Sequence, residues 1–544
     1  MKLSKASRPI LRLALIAALC LAPPPLLAQR FLPDDPLWKD PDQQPIPKPS
    51  RTRYSQVANF LLNTFHWRPR GEIVPAVNVN TLGKVADSSW FTNRMGRNPM
   101  SVEELIRGPN RSDGPRRPFR IISVKDEGRS PGFWIRDSRD DVYIMKFDPL
   151  GHYQLATSTE VVATKFFHAF GYNVPENYLT HFYPHDLQIS PQAKVTEFGR
   201  LRPFSEEDLA SLLLRLPRGP GGELQAMASK FLEGTPIGPF RFYGTRSDDP
   251  NDIFRHEDRR ELRGLRVFSA WLNHDDLRAM NTLDMYIETE EGGYIRHNLL
   301  DFGSCLGSGT TGPQNPRAGS EFMLEWKPVV KSALTLGLWD QPWRRVAYPS
   351  DPAVGNFEAE FFHPPEWKTE YPVPALDRML LEDAFWAARI VFDFSDEMVR
   401  ATVGTGQYLN PATEDYLART LIQRRDKILR YYFDELNPLD DFRIDADTGR
   451  LEFRNFGIAA GLSQKASYRY QWYEFDNQSE TTVSFGSNST ASLASIPLPD
   501  RKAAYWMVSI STESPERQNW RLPVRVYIRS QDLKVVGLKR ETPE

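Results

Sequence analysis

Three clusters of side chains in this 544-residue chain have types and spacings that suit chemistry on a charged ligand. The first is Glu127-Gly128-Arg129-Ser130-Pro131-Gly132, followed by Tyr143-Ile144-Met145-Lys146-Phe147. Glycines let backbone N–H groups approach a phosphate with no Cβ in the way, and a lysine on the next strand can neutralise its charge. A hairpin turn beside an exposed lysine is the plainer reading of the same residues. The second is Asn273-His274-Asp275-Asp276-Leu277-Arg278-Ala279-Met280-Asn281. Two carboxylates, a basic residue and a carboxamide in one loop suit a catalytic base beside a ligand for Mg²⁺, a cation that prefers carboxylate and amide oxygens. Solvated acids at a helix C-terminus are the alternative. The third is Leu299-Leu300-Asp301-Phe302-Gly303-Ser304, an apolar run ending in an acid and a glycine turn. An Asp leaving an apolar strand is costly to bury unpaired and calls for a cation or several donors, unless it simply caps the turn.

The elements that must position these clusters can be read from pattern. Short β-branched and aromatic runs predict strands at Phe119 to Val124, Phe133 to Arg136 and Val142 to Phe147, an antiparallel meander, with further strands at Tyr178 to Phe182 and Leu224 to Leu232. Between them a helical pattern runs from Thr159 to Phe170 and stops at Gly171. Beyond Gly234 helices dominate. Leu262, Leu265, Phe268 and Leu272 recur at three- and four-residue spacing in a helix over Arg259 to Leu272. A hairpin follows, Leu283 to Glu288 and Tyr294 to Leu300 around Glu290-Glu291-Gly292-Gly293, then helices at Leu380 to Phe394, Asp396 to Val403 and Thr413 to Phe433. After Pro438 aromatic and β-branched residues among Ser, Thr and Asn predict a small all-β domain.

In this order the clusters resemble the protein-kinase fold over about residues 119 to 435. Asp276 and Asn281 have the spacing of the kinase catalytic loop, Arg278 is its basic residue, and the hairpin and Asp301-Phe302-Gly303 follow as that fold requires. The resemblance implies an α+β, bilobal kinase-like fold, with a β-rich N-lobe at 116–232 and a helical C-lobe at 233–440. A sandwich-like β domain at 441–544 would complete it. It implies ATP and Mg²⁺ as cofactors: Gly128 and Gly132 over the phosphates, Lys146 on them with Glu160 as its ion-pair partner, Glu233 in an adenine-binding hinge, and Asn281 and Asp301 on the metal. Asp276 would act as base toward an acceptor hydroxyl, on a protein or a small molecule, and Arg278 would stabilise the transferring group. Two glycines in place of three, His274-Asp275-Asp276 in place of His-Arg-Asp, and no Ala-Pro-Glu after Asp301 speak against a conventional activation segment. The chain is more similar to divergent kinase-like families, the HipA-type, spore-coat CotH-type and phosphoinositide-kinase-like proteins. A pseudokinase that binds a ligand or partner is the runner-up. Metal-dependent phosphohydrolysis, suggested by His274-Asp275, would need a helical pair of histidine ligands that the nine histidines do not supply.

Composition narrows the setting. With 68 Lys+Arg against 70 Asp+Glu there is no overall field to gather nucleic acid. Lys2, Lys5, Arg8 and Arg12 precede the apolar run Leu13 to Ala22, and Ala28 suits a cleavage site, so residues 1–28 read as a secretory signal peptide. The mature protein would be periplasmic or extracellular with no membrane span, or anchored at its N-terminus if the signal stays uncleaved. Of the two cysteines, Cys20 falls in the signal and Cys305 close to the third cluster, which leaves no disulfide. Residues 29–115, rich in Pro, Arg and Asn with one apolar helical run at Val57 to Phe65, read as an extension that wraps a neighbour.

Overall fold

The computed structural model describes residues 29–65, 73–124, 132–197, 200–335 and 341–543; the signal sequence and Gly128 lie outside them. Residues 29–115 wrap the rest of the chain. Phe31 is buried against Phe475 and Tyr527 at ring distances of 5.9 and 5.3 Å. Lys84 pairs with Asp440, and the Trp90 ring stacks on His297 at 3.5 Å. The run Val57 to Phe65 does form a helix, α1 (Gln56–Phe65), but two of its polar residues, not its apolar ones, are the buried ones. Asn59 and Asn63 are buried while Val57, Leu61, Leu62 and Phe65 are exposed, because Asn59 Nδ2 donates to the Tyr371 hydroxyl at 2.8 Å. Asn59→Ala is expected to lower stability by about 1 kcal/mol in urea unfolding, as one neutral hydrogen bond is lost; no measurable change would place the helix's anchoring elsewhere. A short α2 (Val102–Arg107) carries a Ser101–Glu104 capping box and buries Leu105 in the main core.

The N-terminal lobe is built on β1 (Phe119–Val124), β2 (Gly132–Arg136) and β3 (Val142–Phe147), an antiparallel meander. Next come α3 (Ala156–Phe170) and β4 (Asn177–Phe182). Helix α3 starts three residues earlier than the apolar pattern suggests. Asp148 at the end of β3 accepts from the backbone N–H groups of Gln154, Ala156 and Thr157 and so starts the helix there. An insertion follows that sequence pattern did not reveal, since its strands are only three or four residues long: β5 (Leu187–Ile189), the hairpin β6 (Lys194–Glu197) and β7 (Arg200–Pro203), and α4 (Glu206–Leu213). Then β8 (Leu224–Lys230) closes a six-stranded sheet in the order β4-β8-β3-β2-β1-β5, with β5 parallel to β1. Tyr143, Met145 and Phe147 of β3 face its core, which leaves Val142, Ile144 and Lys146 on the other face.

The C-terminal lobe opens with β9 (Thr235–Gly238) and α5 (Arg260–Leu272), beginning one residue later than predicted because Arg259 is extended. The hairpin β10 (Thr282–Thr289) and β11 (Gly292–Leu299) pairs through every residue and takes β9 on its other edge. Helices α6 (Trp326–Leu334), α7 (Pro374–Asp377), α8 (Leu381–Phe392), α9 (Asp396–Gly404) and α10 (Pro411–Asp434) follow. Trp271, fully buried, donates its indole N–H to Leu421 O at 2.8 Å and locks α5 to α10. The remainder is β12 (Leu439–Asp445), β13 (Arg450–Asn455), a short α11 (Phe456–Ala459), then β14 (Ser467–Phe475), β15 (Thr482–Ala491), β16 (Ser495–Pro497), β17 (Tyr505–Glu513), β18 (Val524–Arg529) and β19 (Lys534–Arg540). They form two sheets, β12-β13-β16 and β15-β14-β17-β18-β19, that share one apolar core in which Leu451 and Ile496 meet Trp472, Val508 and Val526. The whole is α+β: a β-rich lobe, a helical lobe and a sandwich-like all-β region. Among the described residues no helix is long and apolar enough to cross a membrane.

Candidate active site

Helix α5 ends because Asn273 takes the left-handed conformation (φ 53°, ψ 42°), which Asn tolerates better than most residues. The loop that follows is pinned by His274 N–H on Ser269 O at 2.8 Å and by buried Leu277. Asn281 then ties the loop to itself, its Nδ2 donating to Asp276 O at 2.7 Å and Asp276 Oδ2 at 3.1 Å. Hairpin register does the rest. Thr282 pairs with Leu299, so the chain returns beside its starting point, and Leu300 N–H donates to Asn281 O at 2.9 Å. That delivers Asp301 next to the loop. Asp301 has a φ of 63°, a left-handed conformation open to Asp, and Phe302 after it is buried and stacked on Phe167 of α3 at 4.6 Å.

Lys146 closes the cleft from the sheet. Its Nζ lies 2.9 Å from Glu160 Oε1 and 2.8 Å from Asp301 Oδ1. Burial works against the ammonium, but Asp301 and Glu160 outweigh it and hold Lys146 well above the ordinary lysine range. Gly132 sits opposite Lys146 in the β2–β3 register, at the start of β2. Gly303 leaves room for the pair, since a Cβ there would stand 3.3 Å from Glu160 Oε2.

On the other wall Arg278 Nη2 donates to Asp276 Oδ2 at 2.6 Å. Asp276 Oδ1 is buried with no hydrogen-bond partner. Burial pushes the Asp276 carboxyl up to about 7, Arg278 opposing and Asp301 and Glu370 adding to the rise. Asp275 has a different partner: Gln314 Nε2 donates to its Oδ1 at 2.6 Å, and burial, then Asp276 and Glu370, push it up to about 8. His274 is packed against Phe167 and Phe302 and pushed down to about 4, chiefly by burial, so it is a neutral packing residue. Cys305 lies nearby and is buried; burial, then Glu160, raises its thiol far above the usual value, so it is unreactive.

The structure thus brings Lys146, Glu160, Asp301, Asn281, Asp276 and Arg278 together, with Gly132 at the edge. Glu233 stands apart. Its side chain is 68% exposed, lies 3.6 Å from Arg296 and lines a different cavity, which leaves only its backbone for contact with a purine. Sequence reasoning missed Gln314 and Glu370, which come from the irregular stretch after Gly303. Glu370 reaches within 3.8 Å of Arg278, and its N–H bonds Asp275 O at 2.9 Å. The donor set suits a hard dication: Asp301 offers carboxylate and Asn281 a carboxamide oxygen, and the mutual repulsion of Asp276, Asp301 and Glu370 is what a cation would relieve.

No known sequence family matches the chain, and no curated protein does. Among solved structures it aligns with a Helicobacter pylori proinflammatory kinase, CtkA, at 13% identity and a TM-score of 0.31, over 56% of this chain and 93% of that one. It aligns with a Golgi casein kinase bearing Mn and ADP at 10% identity and a TM-score of 0.29, over 60% and 76%. A second structure of a Golgi casein kinase gives 9% and 0.29, over 61% and 77%. Strand order, the Lys146–Glu160 pair and the succession of loop, hairpin and Asp301 agree with the bilobal kinase-like arrangement that the sequence resemblance implies.

Proposed function

We propose that this chain is an exported kinase-like enzyme that transfers a phosphoryl group from ATP, with Mg²⁺, to a hydroxyl of a protein or small-molecule acceptor. One observation carries the reading: in a cleft where Lys146 is held by Glu160 and Asp301, Asp276 is fixed by Arg278 and Asn281 through one oxygen and keeps the other bare. On this reading the unpartnered oxygen, buried in the free protein, would accept a hydrogen bond from an acceptor hydroxyl once a substrate reaches it, and orient it. Bound Mg·ATP would supply the phosphoryl group and the charge that neutralises the carboxylates. Asp301 and Asn281 would hold the metal, Lys146 would bind the α- and β-phosphates, Gly128 and Gly132 would approach them through backbone, and Arg278 would face the charge on the transferred group.

Thermal shift tests the binding half. Saturating Mg·ATP is expected to stabilise the wild type by about 2–3 kcal/mol at a hundredfold excess over Kd. Lys146→Ala and Asp301→Ala are expected to abolish most of that gain. No shift in the wild type would remove the nucleotide from the reading and leave a scaffold on a kinase-like fold. Export rests on residues 1–28 alone. Intact mass of the protein from a secreting host should begin at Gln29, and a full-length product retained in the cytoplasm would overturn it.

A further inference from the structure

Behind the segment that joins the two lobes is a second cavity, of about 630 Å³, whose walls include none of Lys146, Glu160, Asp276, Asn281 or Asp301. It is lined by five cationic side chains, Arg94, Arg107, Arg111, Lys230 and Arg296, and by three carboxylates, Asp113, Glu176 and Glu233. The carboxylates do not match the cations one for one. Glu176 is occupied by the Arg111 backbone N–H at 3.0 Å and by the Tyr178 hydroxyl, and Glu233 is turned to solvent beside Arg296. Lys230 pairs outside the cavity with Asp141 at 3.1 Å. Arg94 spends its Nη1 on two carbonyls at the end of α3, His168 O at 2.9 Å and Tyr172 O at 3.3 Å, and among the described residues has no carboxylate in ion-pair range. Burial alone pulls Arg94 down to about 10, against Asp87.

Just beneath this wall, Lys165 is buried and donates to Arg107 O at 3.2 Å, with no acidic partner among the described residues. The Arg296 Nε is buried and bonds nothing. Buried cations without counter-charge are expensive; Lys165 meets that description among the described residues, and Arg94 meets it in part, being half-buried with only carbonyls as partners. His168 registers the same potential. Burial comes first, then Arg94, Lys165, Arg107 and Arg111, and together they hold its imidazole down to about 3. Guanidinium groups from separate elements line this one cavity; each carries the planar fork of N–H donors that suits phosphate oxygens, and the volume is that of a small-ligand site.

We propose that this rear cavity binds a compact molecule carrying clustered phosphate groups, at a site separate from the catalytic cleft. Phe231, Leu232 and Val174 add an apolar wall on which the organic part of a phosphate ester would rest. Titration calorimetry on the full mature chain without Mg²⁺ tests it, with inorganic tripolyphosphate as probe and a sugar bisphosphate as the organic arm. Tripolyphosphate is expected to bind the wild type and Lys146→Ala alike, within about twofold, and at least tenfold more weakly to Arg94→Gln. Arg111→Glu, at an exposed position with no side-chain partner among the described residues, is expected to weaken it as much, so that misfolding of the Arg94 variant cannot decide the matter. Tighter binding of the bisphosphate would identify an organic phosphate, and weaker binding an inorganic one; both uphold the site. The proposal is overturned if the wild type does not bind, if Lys146→Ala loses binding while Arg94→Gln and Arg111→Glu retain it, or if citrate binds as tightly as tripolyphosphate.

Discussion

Asp276→Asn is expected to lower phosphoryl transfer by about 10²–10⁴-fold while leaving Mg·ATP binding within about threefold. The side chain keeps its shape and one oxygen for Arg278, whose contact at 2.6 Å positions the loop. What is lost is the carboxylate, and with it the bare Oδ1 that would accept an acceptor's proton. The neighbouring Asp275→Asn makes the contrast. Its carboxyl already bonds Gln314, and burial keeps it above neutrality at about 8, so the amide is close to the form present at pH 7 and a loss under about tenfold is expected. Rates of acceptor phosphorylation or ATP turnover, with binding followed separately by thermal shift, distinguish the two acids. If Asp275→Asn were the inactive variant, the assignment by spacing from Asn281 would be reversed. If neither substitution altered turnover while nucleotide still bound, the cleft would be a binding site and not a catalytic one.

The choice between these acids also measures how far the sequence could be read. Lys146 was legible because a glycine-containing segment precedes its strand, and Asp276, Asn281 and Asp301 because their types, spacing and order resemble those of the kinase catalytic loop and the acid-bearing turn that follows it. Such signals are local or periodic. Gln314 and Glu370 belong to a stretch with neither property, held instead by contacts such as Met323 N–H on Glu370 O at 2.7 Å, and nothing in their neighbours announces them. The wrapping segment is harder still: Asn59 and Tyr371 are 312 residues apart, and their bond buries a polar residue of a helix whose apolar ones hydrophobicity alone would bury. Helix and strand starts shifted by up to three residues where a side chain intervened, as Asp148 does for α3. Glu233 was placed by its position between the lobes, but position along the chain does not say which way a side chain turns, and Arg296 draws it away.

Asp383→Ala is expected to cost about 3–5 kcal/mol of stability, the range for breaking a buried ion pair from one side. Asp383 is fully buried at the start of α8. Its Oδ1 takes Arg260 Nε at 2.9 Å, and its Oδ2 takes Arg263 Nη1 at 3.4 Å and the Leu380 backbone N–H at 2.9 Å. Both arginines lie in the first turn of α5, so the carboxylate joins the two central helices of the lobe and caps one of them. Removing it leaves two guanidinium groups in the interior; Arg263 retains Asp258 at 2.6 Å and Val74 O at 2.8 Å, and Arg260 retains Gly83 O at 2.6 Å. Those remaining bonds hold the arginines inside instead of letting them escape to water, which is why the loss should be large. A double-mutant cycle of Asp383→Ala with Arg263→Met, by denaturant unfolding, measures the coupling across the pair. A loss under about 1 kcal/mol would mean that the network is solvated. The consequence reaches the cleft, because α5 runs directly into Asn273 and the loop that holds Asp276. At a temperature where the Asp383→Ala protein is still folded, its turnover should fall as the loop that holds Asp276 loosens.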